Sequence, residues 1–232
     1  MQILKRKLRL LSLRIFPKEN KLKVVILGAF GKIARLVESR LLSESDTDMI
    51  WYLRHASRLT NPDPKRVAIV EGNVNDTDKL TEVFHGADIV YANLGGNFES
   101  KAKSVKKAMK ADDVKRLIWV TGLGIYHELP EKFEKWNEGL IGQSVMDDTR
   151  RAAQLLETSD LNVTIIRAAY MNNSPKVDYE LTQKGQEFRG TIISRASIAD
   201  LIVKIIKTPS LYENSSLGIA QPNTDGDKPV GY

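Results

Sequence analysis

The chain has 232 residues, 42% of them hydrophobic and 28% charged, a balance ordinary for one large globular domain. It contains no cysteine, which excludes disulfides and thiolate zinc sites; His55, His85 and His127 are too scattered to suggest a metal site, and no apolar run is long enough to cross a bilayer. The net charge of +6 is not spread over the molecule: residues 1–23 hold eight basic residues against Glu19 alone, so they carry +7 and the rest −1, which leaves no global basic face for nucleic acid.

Residues 1–22 therefore read as a basic extension. Lys, Arg, Leu, Ile and Phe are interleaved there up to Pro17. This composition fits a loosely ordered segment, or an amphipathic helix able to touch an anionic membrane or a protein partner. Arg9 and Arg14 interrupt its apolar stretch, against a cleaved signal peptide, so a cytoplasmic location is the expectation. From residue 23 to 232 strands and helices alternate as one domain. Strands are expected at Val24–Leu27, Met49–Leu53, Val67–Val70, Ile89–Ala92, Leu117–Val120, Val163–Arg167 and Leu217–Ala220. Helices are expected after the first strand, from Thr77 to His85, and over 99–111, 146–158 and 195–207, the last capped by Ser194. The segment YHELPEKFEKWNEGLIGQS reads as irregular, and 178–193 as extended. The fold class is α/β: a doubly wound, mostly parallel sheet with a small substrate-side extension at the carboxyl ends of the strands.

The first strand ends in VVILGAFGKIA, residues 24–34. Gly28 permits a tight turn off the strand, Gly31 a close backbone approach to a phosphate, and Ala34 close packing of the next helix on the sheet. That helix start offers free N–H groups to a pyrophosphate, placing Gly28, Ala29, Phe30, Gly31, Lys32 and Ile33 around a dinucleotide. The second strand ends in Leu53-Arg54, with Arg58 nearby and no acid to bind a ribose hydroxyl. Arg54 suits a 2′-phosphate, so NADP(H) is favoured and NAD(H) remains possible; a solvated loop charge is the alternative. Arg167 is expected either to bind an acidic group or to brace backbone carbonyls.

The spacing G-x-x-G-x-x-A resembles the first turn of the short-chain dehydrogenase/reductase superfamily, particularly its atypical, NmrA-like NAD(P)H-binding members. IVEGNVNDTDKLTEVFHGADIVYANLGG, RLIWVTGLGIY, LLETSDLNVTIIRAA and IISRASIADLI extend the resemblance over about residues 23–222. It implies a Rossmann fold, Asp76 and Val74 near the adenine, and Ala92, Asn93, Leu94 and Gly95 along the cofactor; Asp76 also reads as a helix cap. Standard members carry a Tyr-x-x-x-Lys pair for proton transfer. No tyrosine here has a lysine four residues on, and Met146 and Arg150 occupy the aligned places. Thr121 and Tyr126 are the remaining catalytic candidates, Thr121 also beside the cofactor, and no residue set points to a metal. Tyr126, Trp136, Tyr170 and Met171 are expected to line a cleft for a small-molecule substrate, with Trp136, Phe133 and the NEGLIG segment, residues 137–142, as a lid over it. The function expected is an NADP(H)-dependent oxidoreductase; the rival is a non-catalytic redox sensor that signals to a protein partner.

Overall fold

The computed structural model describes residues 21–230, so the basic leader over residues 1–20 and its expected contacts lie outside the described residues. The first half of the chain alternates β1 (Lys23–Leu27), α1 (Lys32–Glu44), β2 (Asp48–Leu53), β3 (Val67–Glu71), α2 (Thr77–Phe84), β4 (Ile89–Ala92) and α3 (Phe98–Ala111). Then follow β5 (Arg116–Gly122), α4 (Glu131–Ile141), α5 (Gln143–Glu157), β6 (Asn162–Ala168), β7 (Tyr170–Asn172), β8 (Glu180–Gln183), β9 (Ile192–Ser194), α6 (Arg195–Lys207) and β10 (Ser215–Ala220). Eight strands form one sheet in the order β3-β2-β1-β4-β5-β6-β10-β8, and only β8 at its edge runs antiparallel. The chain winds outward from β1 to β3, then crosses back to β4. At that reversal the connections leave in opposite directions and open a crevice beyond the carboxyl ends of β1 and β4.

Both faces of the sheet are covered, which is why the strands read as continuous apolar runs. Val24, Ile26, Met49, Trp51 and Tyr91 face α1 and α6, while Val25, Leu27, Ile50, Val90 and Trp119 face α2, α3 and α5. Arginines held by carbonyls close the ends of elements. Arg66 donates to the carbonyls of Leu41, Leu42, Ser45 and Thr47, where the negative end of the α1 dipole lies. Arg116 does the same for Pro209, Leu211 and Asn162.

Two expectations about secondary structure need correction. The segment expected to be irregular forms α4 and the start of α5. Phe133, Trp136, Asn137 and Leu140 recur at helical spacing, Glu131 and Glu134 favour the α4 start, and Gly142 at φ +86 breaks the two helices apart. Within 178–193 only Glu180–Gln183 and Ile192–Ser194 are paired strands, and the residues between them form a turn and loop.

One carboxyl group lies under α1. Glu38 is 1% exposed, with Oε1 lacking a partner, and Arg35 contacts only Oε2 at 2.8 Å. Burial outweighs Arg35 and pushes the Glu38 carboxyl up to about 8. The unfolded chain ionises this group near pH 4.5, whereas the folded protein keeps its proton to about pH 8. Its contribution to stability is therefore complete below pH 4.5 and is lost as pH rises through 8. Glu38→Gln should flatten that part of the profile: urea midpoints of variant and parent, measured from pH 4 to 9, should diverge in favour of Gln on the alkaline side. Parallel profiles would refute this assignment.

Candidate functional site: a basic groove joined to an apolar cleft

A groove of about 490 Å³ lies over the carboxyl ends of β1–β4, lined by Gly28, Phe30, Gly31, Tyr52, Arg54, Arg58, Asn73–Asn75, Asn93–Gly95, Asn97 and Lys101 among others. Its centre is the glycine turn. Gly28 adopts φ +78, and a Cβ there would stand 2.2 Å from the Asn93 carbonyl oxygen. At Gly31 a Cβ would stand 1.9 Å from Asn93 Nδ2. The second glycine therefore makes room for a side chain of the β4 turn, a reason for glycine that the sequence did not show. Asn93 N–H donates to Leu27 O at 2.9 Å, so the two turns interlock.

The first helical hydrogen bond of α1 runs from Arg35 N–H to Gly31 O, and Gly31 supplies no side-chain cap. The N–H groups of Lys32, Ile33 and Ala34 thus have no intrahelical acceptor and carry the positive end of the dipole. Neighbouring helix starts are already satisfied. Asp76 Oδ1 caps α2 through Lys79 N–H, and Asp148 receives the N–H groups of Phe98 and Glu99 at the start of α3. Among the groove-facing helix starts described, α1 is the one left open to an anion.

Three cations line the groove and no carboxylate does. The Arg58 guanidinium stacks on the half-exposed Phe30 ring, 3.5 Å from its centre. Lys101 Nζ donates to the carbonyls of Gly95 and Gly96 at 2.6 Å each. Burial, followed by the nearby positive charge of Arg54, lowers the Lys101 pKa. Tyr52 donates to Asn73 O at 3.0 Å and anchors the Asn73–Asn75 wall.

The second cavity, about 430 Å³, opens over β5 and β6. It adjoins the groove at the start of α3, where Asn97 faces one cavity and Phe98 the other. Thr121, Met146, Tyr170 and Met171 line it, with Asn137, Ile141 and Arg195. Thr121 is 5% exposed and its Oγ1 has no partner. A buried hydroxyl left unpaired costs about 1–3 kcal/mol, so this one is available to a ligand. Tyr170 donates its hydroxyl to Asn137 Oδ1 at 2.8 Å, which fixes the ring.

Not all expected site residues lie here. Tyr126 turns the other way: its hydroxyl meets Glu157 Oε1 at 2.6 Å and Ser216 Oγ at 3.0 Å, and burial drives its pKa up. It lines neither cavity, so it cannot act as an acid in the cleft. Trp136 stands behind the wall, stacked on Phe133 and edge-on to Tyr170. Phe133 is fully buried, so α4 forms a fixed wall where a lid was expected. Asp76 is a cap outside the lining, whereas Val74 lines the groove as expected, with Asn73 and Asn75 on either side of it. Ala29 and Ala92 are buried beneath the groove floor, and Ile33 packs into the core. Lys32 is exposed outside the lining.

Arg167 binds no ligand-facing acid. It is wholly buried, with Glu128 at 2.6 Å, Ser216 Oγ at 3.2 Å and the carbonyls of Thr182 and Ser216 at 3.2 and 3.3 Å. Glu128 in turn accepts the N–H groups of Gly124 and Tyr126, fixing the loop beneath the cleft. Arg150 is used in a similar way, by Glu138, Asp147 and Gly124 O. His127, Glu134 and Glu138 bring ligand atoms within 4.8 Å of one another, a grouping that the scattered histidines gave no reason to expect. Arg150 Nη2 lies 3.4 Å from His127 Nδ1 and supplies positive charge to that group.

Sequence reasoning missed Lys101 and Arg195, and it reached Asn137 only as part of the NEGLIG segment of an expected lid. Each sits on a helix face whose exposure depends on tertiary packing, so no local signal marks it.

The strand order, the open α1 start and the groove at the sheet's reversal define a dinucleotide-binding protein of the Rossmann class. The profile of the NAD(P)H-binding family matches residues 28–209, and the chain belongs to that family, among the atypical short-chain dehydrogenase/reductase-like proteins. It is similar to a Rossmann-fold NAD(P)-binding family protein from Shigella flexneri: 40% identity over 91% of this chain and 99% of that one, with a TM-score of 0.78. A short-chain dehydrogenase/reductase from Veillonella parvula, solved in complex with NADP, shares 30% identity over 90% of this chain and 98% of its own, with a TM-score of 0.84. No curated protein matches the chain.

The geometry sets two tests. Gly28→Ala meets backbone at a positive φ and should cost about 3 kcal/mol of unfolding free energy. Gly31→Ala meets chiefly the Asn93 side chain, with Gly28 O at 3.2 Å, and Asn93→Ala should recover part of its loss; a double variant no more stable than Gly31→Ala alone would break the interlock argument. Tyr126→Phe should cost about 1 kcal/mol of stability and leave nucleotide affinity unchanged, as followed by denaturation and NADPH titration.

Proposed function

We propose that the protein is an NADP(H)-dependent oxidoreductase acting on a small molecule held in the apolar cleft. The observation that carries the cofactor preference is the charge pattern where β2 ends: Arg54 and Arg58 line the groove there and no acid does. An NAD-selective site needs a carboxylate for the ribose 2′-hydroxyl, whereas two guanidiniums suit a 2′-phosphate. The Veillonella parvula relative, solved with NADP, supports the same preference. The open α1 start would receive the pyrophosphate, and the unpaired Thr121 hydroxyl is free to hydrogen-bond a group in the cleft.

Bound here, the reduced nicotinamide supplies a hydride. The chain's own part is to bind, orient and limit water. Met146, which the family resemblance sets at the place of the relay tyrosine, carries no transferable proton, and Arg150 is engaged by Glu138 and Asp147. The accompanying proton would therefore come from solvent through the cleft mouth.

The same absence of a relay favours a second reading, a non-catalytic NmrA-like sensor that binds NADP(H) and acts through a protein partner. Titration of the full chain should show NADPH binding at least about tenfold tighter than NADH, and Arg54→Glu with Arg58→Glu should abolish that difference. Equal affinities in the parent protein would remove the preference. NADPH oxidation with a panel of quinones, aldehydes and enones separates the enzyme from the sensor: turnover above background supports the first, and its absence with tight binding supports the second.

A further inference from the structure

We infer that the cleft takes an apolar carboxylic acid, with Arg195 as the residue that recognises its carboxylate. This rests on the reading of the cavity as a substrate cleft and names the substrate class. The cleft wall is apolar, and its mouth continues outward as Leu140, Ile141 and Val145, exposed at 55%, 38% and 46%. Exposed aliphatic side chains around a concave apolar wall mark a surface that an apolar ligand covers.

Arg195 is the one cationic side chain lining this cleft among the described residues, and no acidic side chain lines it. It opens α6 and is half-buried. Its Nη1 is held by two neutral acceptors, Asn173 Oδ1 at 2.9 Å and Met171 O at 3.3 Å, while Nε and Nη2 have no partner among the described residues. The guanidinium is thus fixed on one side and free on the other. Most other described arginines pair with a carboxylate, as Arg35, Arg40, Arg150, Arg151 and Arg167 do, or with several carbonyls, as Arg66 and Arg116 do. A lone guanidinium beside an apolar wall favours a monoanion: it offers two parallel donors to a carboxylate, and no second cation is present to balance a dianionic phosphate. The Thr121 hydroxyl is a second polar group in the same lining and has no partner, so the ligand would also carry a group able to hydrogen-bond there.

The test compares 1-pyrenebutyrate with 1-pyrenebutanol, which differ only in the charged end. Binding to the full chain is followed by pyrene fluorescence with and without NADPH, so failure of the nucleotide reading appears separately, as absent NADPH binding. The acid should bind at least about tenfold more tightly than the alcohol. Arg195→Gln should weaken the acid by about tenfold and leave the alcohol within twofold, and Arg195→Lys should restore part of the loss. Equal affinity for the two probes in the parent protein, or an acid affinity unmoved by Arg195→Gln, overturns the proposal. Loss of both probes in the variant also overturns it, because Arg195 would then only be supporting the Met171–Asn173 segment.

Discussion

The buried pair of Arg167 and Glu128 organises the part of the molecule beneath the apolar cleft. Two charges removed from water cost several kcal/mol each unless their remaining donors and acceptors are met. Here they are met by parts of the chain far apart in sequence: the Gly124 and Tyr126 amides, the Ser216 hydroxyl, and the carbonyls of Thr182 and Ser216. The pair thereby joins the loop after β5, the end of β6, and the strands β10 and β8. Removing one partner would strand the other, so the loop beneath the cleft is fixed by an electrostatic constraint more than by its own sequence. Tyr126 is carried along with it: the loop geometry turns the ring toward Arg167, 5.2 Å from its centre, and away from the cleft.

The architecture was largely legible in the sequence, because a parallel sheet buried on both faces leaves short β-branched runs that helices separate. The glycine turn, its place on the first strand and Arg54 at the end of the second were legible for the same reason: each is a local feature at a fixed distance from a strand end. What local pattern could not reveal was direction. Tyr126 and Trp136 are aromatics near the right loop, yet one faces Glu157 and the other props Tyr170 from behind. Asp76 shows the opposite problem, a residue with two sound local roles of which the structure shows only the cap. Arg195 was invisible because α6 reaches the cleft through long-range packing, and Asn137 was legible only as part of a lid segment, not as the partner that fixes Tyr170.

The groove and the cleft differ in the physics available to each. The groove offers positive charge, open backbone donors and a cation stacked on Phe30, a setting for a polyanion with a flat base. The cleft offers apolar area, one unpaired hydroxyl and one half-free guanidinium. Asp148 of α5 holds the first turn of α3 at the boundary between them. By occupying those amides, the carboxylate also keeps negative charge beside a helix start that would otherwise compete with α1 for an anion.

The interlock of Gly28 and Asn93 bears on the thermodynamics of association. Both turns are tied to the sheet by backbone hydrogen bonds, Gly28 to Tyr52 and Asn93 to Leu27, and Asn93 fills the space that side chains at Gly28 and Gly31 would need. Neither turn has to be ordered when a nucleotide arrives. The conformational entropy of that part of the groove is lost during folding, so little of the interaction energy is consumed in shaping the receptor. Rigidity at the first turn thus acts as stored affinity, and a substitution that loosens it would weaken binding without removing any contact to the ligand.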